Sequence, residues 1–72
     1  MHIEFYNYDE GYGFEAWEDY SGEIPQVGDQ VYITLDDGSE SIWEVKKRLI
    51  YHYRGIELYC SFIKETKKSI TQ

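Results

Sequence analysis

Residues 30–35, QVYITL, run into the turn Asp36-Asp37-Gly38 and then into residues 41–53, SIWEVKKRLIYHY, and this stretch decides the fold. Val31, Ile33 and Leu35 alternate with Tyr32 and Thr34, the period of two expected of a strand with one buried face. Asp37-Gly38 favours a tight primed hairpin turn, in which both central residues take positive φ. On the returning strand Trp43, Val45, Leu49, Tyr51 and Tyr53 share one parity, and Ile42, Glu44, Lys46, Arg48, Ile50 and His52 share the other. Lys47 interrupts the first set, and the run is long for a strand, so a bend or bulge is expected near residues 47–50.

The same alternation extends outward in both directions. Ile3, Phe5 and Asn7 alternate with Glu4, Tyr6 and Tyr8, which predicts an opening strand. After the Gly11 and Gly13 turn, the run FEAWEDY over 14–20 either pairs back as a hairpin or forms one helical turn, the strand being favoured by its surroundings. Residues 21–29, SGEIPQVGD, read as an ordered loop in which Pro25 fixes φ and Ile24 and Val27 anchor the chain. Beyond Arg54-Gly55, Ile56, Leu58, Cys60 and Phe62 supply the second half of the core. Residues 1–63 thus form one domain, and the polar, basic segment 64–72 is expected to fray.

The architecture implied is all-β: a small antiparallel sheet of four to five strands curled into a partly open barrel. With 72 residues and one cysteine, the core is small and has no internal disulfide. Cys60, His2 and His52 lack the paired spacing of a zinc site, and no cofactor is implied. Stability is therefore expected from the thirteen aromatic rings. No apolar run is long enough to span a bilayer, and the opening residues lack a signal-peptide pattern, so a cytoplasmic protein with no membrane partner is expected.

The loop-to-strand device Pro25-x-x-Gly28-Asp29-x-Val31, the Trp43-bearing strand and the hairpin after it resemble the small Src-homology-3-like barrels, over about half the chain. They also resemble short uncharacterised proteins of bacteria, phages and mobile elements that share this lead-in. The resemblance implies an architecture and a bacterial or phage setting, and it carries over no functional residue.

Charge is segregated along the chain. Residues 1–40 hold eleven Asp and Glu and no Lys or Arg, whereas 41–72 hold three acids and seven bases, giving halves of −11 and +4. Tyr8, Asp9, Glu10, Tyr12, Glu15, Trp17, Glu18, Asp19 and Tyr20 interleave carboxylates with rings. That chemistry suits a protein-binding face for a partner with a basic surface. The competing reading is a solvated surface whose rings serve the core. A second site is possible at Lys46, Arg48, Tyr51, Tyr53 and Arg54, where cations beside rings suit single-stranded nucleic acid. The net charge of −7 disfavours it. Cys60 lies on a buried parity, His52 is a lone strand histidine, and Asp36, Asp37 and Glu40 fit a turn better than a calcium loop, so no enzyme is expected. Self-association into a homodimer through a sheet edge or through exposed rings is a further expectation.

Overall fold

The computed structural model describes residues 1–69 and contains five strands: β1 (Ile3–Asn7), β2 (Gly13–Trp17), β3 (Gln30–Thr34), β4 (Glu40–Tyr51) and β5 (Gly55–Lys67). The described residues include no helix, so the run after Gly13 is strand rather than helical turn. The strands form one sheet in the order β2-β1-β5-β4-β3, which is not closed into a barrel. This agrees with the all-β, partly open arrangement expected, with one difference. β1 lies parallel to β5, pairing Ile3 with Ile56, Phe5 with Leu58 and Asn7 with Cys60, so the sheet is mixed.

That parallel pair builds the core. Ile3, Phe5, Leu58, Cys60, Ile33 and Val45 are fully buried, joined by Val31, Trp43 and Ile56. Phe14, Trp17, Tyr20, Ile24 and Leu35 pack around this cluster, whereas Val27, expected to anchor the loop, is exposed. Phe62 also departs from expectation. Its ring meets Trp43 edge-on at 5.4 Å but remains 53% exposed, because β1 ends at Asn7 and nothing from that strand covers β5 past Cys60.

One turn differs in detail from the sequence reading, and a second, placed as expected, depends on its glycine. At the β3–β4 hairpin, Gly38 N–H donates to the Leu35 carbonyl at 2.9 Å and Leu35 N–H donates to the Ser39 carbonyl at 2.9 Å. Only Gly38, at φ 88°, is left-handed there, so the loop is a three-residue turn closed by a glycine bulge rather than a primed two-residue turn. At the β4–β5 hairpin Gly55 has φ 101°, and a Cβ placed on it would fall 2.3 Å from the His2 carbonyl oxygen, so only glycine lets β1 dock there.

The expected irregularity in β4 lies just before Lys47, where pairing passes from Val45–Cys60 to Lys47–Tyr59. Lys46 is the extra residue, and it inverts the parity of everything after it. Lys47, Leu49 and Tyr51 consequently share the outer face with Tyr59 and Glu57, while Arg48 and Ile50 oppose Leu58 and Ile56 on the core side. The single-parity stripe read from Trp43 to Tyr53 is therefore broken in two. Residues 64–67, expected to fray, instead continue β5, with Ser41 paired to Glu65 and Glu40 to Lys67. Thr66 adds a hydroxyl donor to the Glu40 carbonyl at 3.2 Å. The remainder of the expected tail, residues 70–72, lies outside the described residues.

Candidate functional site

The sharp tip between β1 and β2 carries the first part of the acidic aromatic set. Asn7 is buried, and its side-chain oxygen accepts the N–H groups of Asp9 and Glu10, both at 3.0 Å. The backbone closes around it, with Gly11 N–H on the Asn7 carbonyl at 2.7 Å, Asn7 N–H on the Tyr12 carbonyl at 2.7 Å, and Tyr8 N–H on the Cys60 carbonyl at 2.8 Å. An asparagine that takes two amide donors holds a turn in one conformation. Tyr8 and Tyr12 stand 51% and 52% exposed on this tip beside exposed Asp9 and Glu10.

The rest of that set divides. Trp17 and Tyr20 belong to the packing layer: Trp17 meets Phe5 edge-on at 4.6 Å and Tyr20 at 5.4 Å, and the Tyr20 hydroxyl donates to the Glu23 carbonyl at 2.8 Å. Glu18 and Asp19 lie at the far end of β2, a strand length of about 17 Å from the tip. Glu18 accepts from His2 Nδ1 at 2.6 Å, and Asp19 holds a left-handed φ of 54°. Glu15 is half-buried between these ends. The nine residues therefore form two acidic surfaces joined by edge strand β2, not one contiguous patch.

A further polar cluster, not anticipated as a unit, occupies the outer face of the central strands. The parallel register sets Glu4 beside Glu57 and Tyr6 beside Tyr59, whose rings stack at 5.0 Å. Two carboxylates side by side repel, and hydroxyls relieve them. Glu57 accepts from Tyr51 at 2.9 Å and Tyr59 at 2.8 Å, while Glu4 accepts from Tyr6 at 3.1 Å and bonds His2 Nε2 at 3.1 Å. The bond to Glu57, with desolvation, pushes the Tyr59 hydroxyl up to about 12. Hydrogen bonding to Glu4 raises His2, and the same bond lowers Glu4. Lys47 Nζ sits 5.1 Å from the Tyr59 ring centre and the Arg54 guanidinium 4.1 Å from that of Tyr51. Tyr6 and Tyr59 were legible as an outward parity, but their pairing depends on the parallel contact, and it is the Lys46 bulge that brings Lys47 and Tyr51 to the same face.

The alternative basic site is dispersed by the same bulge. Lys46 Nζ pairs with Glu44 at 3.0 Å, Arg48 lies on the core side, and Arg54 and Tyr51 join the carboxylate-bearing outer face. Tyr53, 91% exposed, stacks on His52 at the hairpin end. Cys60 is fully buried, and burial pushes its thiol up to about 11. Among the described residues no three His, Cys, Asp or Glu side chains gather as a metal site, and no helix is long and apolar enough to cross a membrane. No protein-family model, curated protein or solved structure matches this chain.

Proposed function

We propose that this protein is a non-enzymatic, cytoplasmic protein-binding module that engages a partner with a basic surface through its acidic N-terminal segment, led by the β1–β2 tip. The observation that carries the reading is the tip itself. Two half-exposed tyrosines and two exposed carboxylates are carried on a turn whose backbone amides at Asp9 and Glu10 are bound by the buried Asn7. Pre-organised aromatic area with flanking charge lowers the ordering cost of association and steers an oppositely charged partner.

The electrostatics favour the same side. Among the described residues the ion pairs are His2 with Glu4 and Glu18, and Lys46 with Glu44. Asp9, Glu10, Glu15 and Asp19 thus keep their full field for a partner. The resemblance to short phage and mobile-element proteins suits this role, in which an acidic face would occupy a basic groove on a host protein. The nucleic-acid reading is weaker, because the outer-face cations share their surface with Glu4 and Glu57.

The test is affinity capture from a lysate of the organism that encodes the chain, using wild type and two charge variants. Reversing Asp9, Glu10 and Glu15 to lysine should release a partner that the Lys46→Ala/Arg48→Ala/Tyr51→Ala variant retains, and the captured complex should weaken with salt. A partner set indifferent to the acidic reversals would refute the proposal.

A further inference from the structure

The sheet leaves two edges, β2 and β3, and they differ in chemistry. β2 carries Glu15 and is followed by Glu18 and Asp19, whereas β3, Gln30-Val31-Tyr32-Ile33-Thr34, bears no charge. Natural sheet edges are usually guarded by lysine, proline or a bulge. β3 has none of these, and its pairing with β4 runs without a register shift from Gln30 to Thr34.

Backbone directions along β3 follow from its ends. Leu35 N–H donates to the Ser39 carbonyl and the Asp29 carbonyl accepts from Val45 N–H, so odd-numbered residues turn their peptide groups toward β4. Alternation then points the N–H and C=O groups of Gln30, Tyr32 and Thr34 away from the sheet. The side chains form a near-palindrome about Tyr32: buried Val31 and Ile33 flank it, and exposed Gln30 and Thr34 lie beyond.

We infer that a second copy of this chain pairs antiparallel with β3 across a two-fold axis at Tyr32, joining two sheets into one reversible dimer. Tyr32 opposes Tyr32 and Gln30 opposes Thr34, each opposed pair exchanging two N–H···O bonds, while Val31 opposes Ile33 on the core side. Charge selects this occupant. Each copy carries −7, so two copies repel least along the uncharged edge, whereas a basic segment is drawn to β2 and the tip instead. Asp29 and Asp36 at the two ends of the pairing make the dimer tighten with salt, opposite in sign to the capture of a basic partner. The dimer leaves β2 and the Tyr8–Tyr12 tip free on both copies, so it stands independently of the proposed partner site.

Cysteine trapping in the full chain tests both association and register. Hydrogen-bonded antiparallel pairs hold their Cα atoms about 5.5 Å apart, within disulfide range, and native Cys60 is buried. Tyr32→Cys should form a covalent dimer at least about tenfold faster than Tyr53→Cys, since pairing raises the effective thiol concentration. Gln30→Cys and Thr34→Cys should cross-link when mixed and not when alone. Wild type should dimerise in sedimentation as salt rises, and Tyr32→Lys should remain monomeric. Equal trapping of Tyr32→Cys and Tyr53→Cys, or a wild type that sediments as a monomer through the millimolar range in high salt, would overturn the inference.

Discussion

Phe5 and Phe62 occupy equivalent positions in two alternating strands, yet the structure assigns them opposite energetic weight. Phe5 is 0% exposed and contacts Trp17 edge-on at 4.6 Å and Phe14 at 6.5 Å, whereas Phe62 is 53% exposed. Phe5→Ala removes a fully buried ring and leaves a cavity that two rings and the Leu58 side of the core cannot close, a loss of about 3–5 kcal/mol. A domain of this length is stable by only about 4–11 kcal/mol, so the variant should lose from about a quarter to all of its stability. Phe62→Ala removes partly solvated surface and one edge-on contact with Trp43, costing about 1 kcal/mol. Equilibrium urea unfolding followed by tryptophan fluorescence measures both, because Trp17 and Trp43 report on the two rings directly. Ile3→Val, expected to cost about 0.5–1.5 kcal/mol, supplies a measurable core value if Phe5→Ala does not fold. Equal losses for Phe5→Ala and Phe62→Ala, or a loss below about 1 kcal/mol for Phe5→Ala, would refute the packing described.

Three other perturbations read the turns and the outer face. Gly55→Ala forces a side chain into a left-handed backbone and against the His2 carbonyl, so it should destabilise by at least about 1–2 kcal/mol and weaken amide-exchange protection in β1 before β3. Asn7→Ala removes the acceptor for two tip amides and should cost about 1–3 kcal/mol, with the Asp9 and Glu10 amides losing exchange protection first. For His2, whose titration is raised by Glu4, the favourable pairing is complete below its ordinary value of 6.5 and fades as pH rises through the elevated one. Glu4, lowered by the same bond, contributes above its ordinary 4.5 and fades as pH falls through the depressed value, so the pair supports the fold most between those two values. An NMR titration should place His2 above 6.5, and Glu4→Gln should bring it down; an unchanged titration would disprove the contact.

Local alternation exposed much of this fold in the sequence, because a half-buried strand writes its pleat directly into residue type. Ile3, Phe5, Val31, Ile33, Trp43 and Val45 all face inward at the positions alternation implies. Alternation carries no information about which strand lies beside which, and the parallel contact of β1 with β5 joins residues more than fifty positions apart. Phe62 illustrates the consequence: its parity is right, but β1 stops short and leaves it uncovered. Lys46 illustrates the second limit: Lys47 signalled an irregularity, but not that one inserted residue would invert the faces of Lys47, Arg48, Leu49 and Tyr51. The acidic tip was legible as composition, while its division from Glu18 and Asp19 by the length of β2 was not.

The topology also explains why the two halves of opposite charge do not simply cancel. The basic hairpin of β4 and β5 is central, with the acid-bearing strands β1 and β2 on one side and the uncharged β3 on the other. Part of its charge is used inside the domain: Lys46 on Glu44, Lys47 over Tyr59, and Arg54 over Tyr51 beside the Glu4–Glu57 pair. Without those contacts two adjacent carboxylates on neighbouring strands would oppose the parallel pairing that builds the core. The β1–β2 tip lies past the end of that arrangement, its carboxylates unmatched by cations among the described residues. Cations committed to holding the middle of the sheet together are therefore poor candidates for a ligand site, and the uncompensated tip is the better one.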